Sequence, residues 1–428
     1  MRNNFILSLF LLAGIALSRP AVSSPPILIK GGTVITVTKG TLENGDVLLE
    51  DGKIAEVGAD LQAPDNAIII NATGKFIMPG IIDAHSHIGV YAWPDVPAND
   101  DGNEATNPIT PEVRAQDSFN AEDPAIKLAI AGGVTTIQSL PGSANLIGGQ
   151  TFVLKLKPGK TAEQMRINGA PRGMKMALGE NPKMVYGERN EMPSTRMGNY
   201  AMIRTWFAKA RDYTEKWERF EKKKTDPKYE PPARDLKLES LAQILKGEYL
   251  VHVHCYTKDE MLRMMAVADE FGFKIRSFEH TLEGYKIADT LAARGIAACT
   301  WTDWWGFKVE AFDGIPQSPG LMAAKGVRVV FHSDSGDQIQ RLWLDAAKAV
   351  RYGMDRQKAF EALTINPAWV LGLDDRIGSI EKGKDADIAI FSGHPFNIYS
   401  LVEMTIVDGE IVFDRSKEQS KLEIRNEN

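Results

Sequence analysis

The sequence predicts an α/β fold: a (β/α)8 TIM barrel with a small β-sandwich domain built from both chain ends. Three observations predict it. Between about residues 80 and 380, eight apolar strand candidates occur, the later ones separated by stretches of helical periodicity, the pattern of parallel strands joined by crossover helices. Both flanks of that region read instead as short strands broken by turn residues. Finally, most of the seven histidines close a predicted strand, and barrel enzymes build their sites at strand ends.

The first residues stand apart. "MRNNFILSLFLLAGIALSRPAVSS" has a basic start, an apolar run from Phe5 to Leu17 and small residues after it. This is the pattern of a secretory signal over residues 1–23; the run is short for a membrane span, which needs about 20 residues. An exported protein, periplasmic or extracellular in a bacterium, without a stable membrane anchor after cleavage, is expected. "ILIKGGTVIT", "DVLLEDGKIAEVG" and "AIIINATGKFIMPG" follow as strands, with Asp51-Gly52 as a hairpin signal. At the other end "GKDADIAIFSG" and "TIVDGEIVFDR" repeat the style, the second folded at Asp408-Gly409. Residues 24–79 and 381–416 are therefore assigned to the small β-domain, 80–380 to the barrel and 417–428 to a tail.

Within the barrel, Gly80–Asp83 begins the first strand. "GVTTIQSL", "TFVLKLK", "GMKMAL", "YLVHVHCY", "FKIRSFEH", "GIAACTWT" and "VRVVFHSD" supply the others. Helices are expected at Asp123–Ala131, Asp259–Phe271, Leu282–Arg294 and Leu342–Tyr352. The charged stretch from Arg204 to Lys246 reads as long outer helices split by Pro231-Pro232. A hydrophobic share of 43% and a charged share of 25% are those of a soluble globular protein. A net charge of −6 gives no basic footprint for nucleic acid. Cys255 and Cys299, the two cysteines, are expected as buried thiols rather than a disulfide framework.

In "PGIIDAHSHIG", His85 and His87 are two apart and share a strand face. In "LVHVHCY", His254 is nearer the strand end than His252, which is expected as a hydrogen-bonded core residue. His280 closes "KIRSFEH". His332 and Asp334 share a face in "VRVVFHSDSG", with Asp334 nearer the end. His394, in "SGHPF", lies outside the barrel. Imidazole and carboxylate are the usual ligands of a catalytic zinc that keeps an open position for water. His85, His87, His254, His280 and Asp334 would hold one or two divalent ions, Zn2+ first among them.

These motifs resemble the amidohydrolase superfamily of metal-dependent hydrolases. "PGIIDAHSHIG" is similar to its first-strand motif, "AGGVTTIQ" to its second strand and "FHSDSG" to its eighth. "LTINPAWVLGLDDRIGSIEKGKDADIAIF" is similar to its return into the small β-domain. The likeness is greatest to the imidazolonepropionase-like branch, whose members include dipeptidases and other amide hydrolases. The resemblance implies metal ligands at His85, His87, His254, His280 and Asp334. It also implies a bridging anion in binuclear members, either a lysine carboxylated by CO2 or a glutamate. "GMKMALGENPK" offers both, Lys175 and Glu180. Strand parity turns Lys175 toward the barrel axis, where an unpaired ammonium is costly and carboxylation would relieve it. Glu180 lies past the strand end, as an alternative ligand or a substrate contact.

The implied reaction is cleavage of a C–N amide bond in a small molecule: a small peptide, an N-acyl amino acid or a cyclic amide. Asp334 would hold metal and carry the proton to the leaving nitrogen. A lactone or phosphotriester hydrolase using the same site, and a non-catalytic scaffold, are the competing readings. Trp301, Trp304, Trp305 and Phe307 are candidate walls of an apolar pocket, or loop packing on the barrel rim. Lys183, Arg189 and Arg196 are candidates for a substrate carboxylate, or for surface solvation. Substrate identity, metal count and oligomeric state, including a homo-oligomer, stay open at this level.

Overall fold

The computed structural model describes residues 25–418. The signal expected over residues 1–23 and nearly all of the 417–428 tail lie outside the described residues. Among those described, no helix is long and apolar enough to cross a membrane.

The two chain ends meet in one eight-stranded sheet. Its order is Glu410–Asp414, Val402–Val407, Ile388–Phe391, Phe76–Pro79, Ile27–Ile35, Thr41–Glu50 and Lys53–Gly58. Ile68–Asn71 also pairs, parallel, with Ile27–Ile35. The seam between the ends is antiparallel, with Ile388 opposite Pro79 and Phe391 opposite Phe76. Both predicted hairpin turns form. Asp51 and Gly52 have φ of 48° and 73°, and Asp408 and Gly409 have 47° and 74°, as a turn matched to strand twist requires. Ile29, Val34, Val47, Ile77, Ile388 and Ile406 build the core of this sheet.

Between the ends lies a mixed α/β arrangement. Ile81–Ser86 runs parallel to Val134–Ser139. Arg172–Ala177, Tyr249–His254, Ile275–Glu279, Ala297–Thr300 and Val329–Phe331 form a second parallel array in that order. Nearly every residue in these strands is buried, which explains why they read as apolar runs rather than alternating ones. Helices Ala125–Ala131, Lys258–Phe271, Ala288–Arg294 and Leu342–Arg351 stand close to their expected places. The charged segment folds as helices Arg196–Lys223 and Leu236–Leu245, on either side of Pro231-Pro232. Cys255 and Cys299 are free, buried thiols.

One strand runs against expectation. Phe152–Lys155, taken from "TFVLKLK" as a parallel barrel strand, is antiparallel to Val134–Ser139. Only residues 140–151 separate the two strands, and part of that stretch is itself the strand Ile147–Gln150. No crossover helix fits there, and a parallel return needs one. Ile147–Gln150 pairs antiparallel with Arg172–Ala177, so the segment around Thr151 links the two arrays. At their other side the link is not a strand ladder. Ser333 N–H donates to Asp83 Oδ1 at 3.3 Å and Asp334 N–H to His85 O at 3.2 Å. The described residues thus show no fully hydrogen-bonded ring.

Two features orient the molecule around its site. Helix Ile365–Leu371 packs Ala368, Val370 and Leu371 against Ile82, Ala84, Ala297 and Val330. The early part of the strands is therefore filled with apolar side chains, and polar groups collect at the strand ends. Second, the buried Lys155 ammonium lies 2.8 Å from Asp385 Oδ2 and 3.0 Å from Asp387 Oδ2, and also contacts Asp408. Asp385 takes Lys53 as well, at 2.5 Å. The three carboxylates lie close enough together to suggest a cation site, but the lysine ammonium already occupies their centre. This ion cluster ties Phe152–Lys155 to the two-ended sheet, and removing one partner would leave buried charge uncompensated.

Candidate metal centre

The first strand delivers Asp83 and His85 on one face. Asp83 is spent on structure: its carboxylate accepts from the Ser333 hydroxyl and from backbone N–H groups of His85 and Ser333. Burial pushes it up to about 7. His85 and the following His87 converge on Asp334. His85 Nε2 lies 3.1 Å, His87 Nε2 3.2 Å and His280 Nε2 3.8 Å from Asp334 Oδ1. His254 joins the group with its ring 4.6 Å from that of His280. His332 is also close, its ring 4.9 Å from both His85 and His280.

Backbone geometry brings these groups together. His280 and Asp334 have φ of 61° and 57°, the left-handed region that His and Asp enter more readily than most residues. Each follows a strand end, so the left-handed step breaks the alternation of faces. Both carry backbone ties: His280 O accepts from Leu282 N–H at 2.6 Å, and Asp334 N–H donates to His85 O at 3.2 Å. Backbone strain of this kind persists where surrounding contacts over-determine it, and it collects at functional sites.

The hydrogen bonds around the cluster fix which nitrogen faces inward. His87 Nδ1–H donates to Leu140 O at 2.8 Å. His85 Nδ1–H donates to Glu279 Oε2 at 3.1 Å. His254 Nδ1 pairs with Ser143 Oγ at 2.8 Å. In all three the Nδ1 side is engaged and the Nε2 side is turned to the cluster. His85 Nε2, His254 Nε2 and His280 Nδ1 are buried without a hydrogen-bond partner. Unsatisfied buried nitrogens on several neighbouring imidazoles are costly. A bound cation relieves that cost, and a set of imidazoles with one carboxylate suits a divalent transition metal. Ligand atoms of His85, His280 and Asp334 all lie within 4.8 Å of one another. On these grounds the residues fit one or two divalent ions.

The electrostatics agree with that donor set. Burial would raise the Asp334 carboxyl, but His280, His85 and His87 outweigh it and hold it well below the usual carboxylate range. Burial lowers His254 and His280 far below the ordinary imidazole value, so both offer lone pairs at neutral pH. Lys175 is fully buried, with Nζ 3.1 Å from Pro141 O. Burial brings its ammonium down to about 8, with Asp334 and Glu279 acting the other way. Glu180 opens helix Glu180–Gly187, and its carboxylate lies 3.6 Å from Lys308 Nζ.

Among the aromatics, Trp301 is buried and stacks on His280 at 4.7 Å and on Trp304 at 4.8 Å. Tyr256 stacks on the same imidazole at 5.2 Å. Trp305 and Phe307 are about half exposed. Of the basic candidates, Arg196 is committed to Glu260, at 3.1 Å, and to Glu310. Arg189 donates to Ala105 O and lies over the Tyr186 ring. Sequence reasoning passed over Glu279, Ser143 and Tyr256. For Glu279 there was a signal, a carboxylate closing a strand next to His280.

A family model described as "Amidohydrolase family" matches residues 76–412. The chain is 34% identical over 404 residues to the amidohydrolase tasK of Hapsidospora irregularis, covering 90% of this chain but 41% of that protein. It thus spans less than half the length of that relative. It is 23% identical over 402 residues to an imidazolonepropionase of Thermoplasma volcanium, covering 88% of this chain and 92% of that one. A crystal structure of an amidohydrolase from Thermotoga maritima MSB8 superposes with a TM-score of 0.84 at 41% identity, covering 91% of this chain and all of that one. Matched over most of its length, this chain belongs to the amidohydrolase family.

Proposed function

We propose that this chain is an exported enzyme that uses one or two divalent ions, most simply Zn2+, to hydrolyse the amide bond of a small substrate. Small peptides, N-acyl amino acids and cyclic amides are the substrate classes. The observation that carries the reading is the convergence of His85, His87 and His280 on one carboxylate oxygen of Asp334, with His254 beside them. In this reading the two strand arrays make up a (β/α)8 barrel over residues 80–380. The two-ended sheet is then the small β-sandwich domain of residues 24–79 and 381–416. The 0.84 TM-score to an amidohydrolase crystal structure supports that arrangement.

His85, His87, His254, His280 and Asp334 would hold the metal, with Lys175, as its carbamate, as the bridging ligand. A divalent ion bound there polarises the scissile carbonyl and acidifies a water. The chain's own groups do the rest. Asp334 is the acid–base group. Its side chain is about a quarter exposed, against none of His85, so it reaches both the centre and an incoming substrate. Its carboxylate takes the proton of the attacking water and passes it to the leaving nitrogen. Trp301 and Tyr256 both pack on His280, with their own ring centroids 6.4 Å apart; they keep water from that imidazole and give an apolar surface to the substrate.

A screen of metal-loaded enzyme tests the function. Dipeptides, N-acyl amino acids, cyclic amides, lactones and aryl phosphotriesters are assayed separately. Turnover is expected on at least one amide class and to exceed that on every lactone and phosphotriester. Turnover confined to esters would overturn the amide reading.

A further inference from the structure

Glu279 is the last residue of the strand Ile275–Glu279, fully buried among the site's imidazoles. Each of its oxygens already accepts a hydrogen bond from a neighbouring side chain. Oε2 accepts the His85 Nδ1–H at 3.1 Å. Oε1 accepts the Ser277 hydroxyl proton. Because that proton is used, the contact between His252 Nδ1 and Ser277 Oγ, 2.8 Å long, has His252 as donor. A directed chain results, from His252 through Ser277 and Glu279 to His85. It ends on the nitrogen opposite the one that faces Asp334.

The other inward imidazoles are held differently. His87 leans on a neutral carbonyl, Leu140 O, and His254 on a hydroxyl, Ser143 Oγ. His85 alone among these three has a carboxylate behind it. A carboxylate accepting from the far nitrogen of a metal-binding imidazole fixes its tautomer and ring plane and makes the near nitrogen a stronger donor. It also places a full negative charge behind the site without using a coordination position. Such a charge in a fully buried place is stabilised by donors on both its oxygens and by a cation across the imidazole.

We infer that Glu279 is a positioning residue that locks His85 with Nδ1 protonated and Nε2 turned to the centre, so that the chain His252–Ser277–Glu279–His85 sets the affinity of the site for divalent metal. This rests on the metal-centre reading above. The residue does not touch substrate, and its effect is on metal binding before it is on turnover.

The test is metal affinity, read by competition of Zn2+ with a chromophoric chelator. It uses the full-length mature protein and its Glu279→Gln and Glu279→Asp variants. Gln keeps the shape and loses the charge; Asp keeps the charge and withdraws it from His85. Both are expected to weaken Zn2+ binding about 10- to 100-fold. In the wild type, nitrogen-15 correlation spectra of the metal-free protein should show His85 protonated at Nδ1; in Glu279→Gln that preference should be lost. Melting of the metal-free Gln variant should match the wild type or exceed it, because a buried charge has gone. Unchanged Zn2+ affinity in either soluble variant would overturn the inference, as would a variant that loses only metal-free stability. Failure of the underlying reading looks different: the wild type itself would then bind no Zn2+.

Discussion

Asp334→Asn is expected to lower turnover by about 10²–10⁴-fold, the range for removing a positioned acid–base group, while the protein keeps its metal. The aspartate stands where the imidazole nitrogens meet, with Oδ1 3.1 Å from His85 Nε2 and 3.2 Å from His87 Nε2. The surrounding histidines hold it ionised despite its burial. Asparagine preserves the shape and one oxygen for the centre but cannot take up a proton. Loss of turnover with metal retained therefore isolates the proton role from the ligand role. Kinetics of the variant, paired with metal analysis of the same sample, read both. Full turnover in Asp334→Asn would remove this residue from the chemistry.

Replacing the buried lysine has the second large effect. Lys175→Ala should lose most activity and about half of the bound metal if the carbamate bridges two ions. Millimolar acetate or propionate should restore part of both, because a small carboxylate can enter the space left by the side chain. The structural basis is an ammonium with no exposed surface and a single backbone carbonyl as its hydrogen-bond partner. Such a group is costly to keep charged, and burial brings it down to about 8. The neutral amine is the form that reacts with CO2. At constant dissolved CO2, reactivation of metal-stripped enzyme by CO2 and metal should therefore speed up as pH rises from 7 toward 9. A Lys175→Ala enzyme with full activity and unchanged metal content would exclude the bridge.

Much of this centre is legible in the sequence because strand geometry is simple. Parity alone pairs His85 with His87, whose rings lie 5.1 Å apart, and separates Lys175 from Met174 and Met176. Position along "LVHVHCY" also separates the two histidines: His252 bonds to Ser277 within the core, while His254 packs on His280. The same rule hides Glu279. Alternation puts it on the face opposite to His280, yet the left-handed φ at His280 turns the chain so that both face inward. A tertiary constraint sets that dihedral, and no local pattern reports it.

Strand direction was equally out of reach at Phe152–Lys155. A short run of three apolar residues and a lysine looks the same in a parallel or an antiparallel ladder, and its direction is set by the length of chain that precedes it. The basic residues show a third kind of limit. Arg196 reads as a free cation because its partners, Glu260 and Glu310, lie 64 and 114 residues away. The hairpins at Asp51-Gly52 and Asp408-Gly409 were legible for the opposite reason, since their dihedrals are dictated by the two residues themselves.

The central claim is that these strand ends form a metal centre. Its most direct test is elemental analysis of the mature protein, purified without chelator or an added histidine tag. About one to two equivalents of a divalent transition metal per chain are expected, as a site of imidazole and carboxylate ligands requires. Less than about half an equivalent, unchanged after dialysis against zinc, would contradict the account.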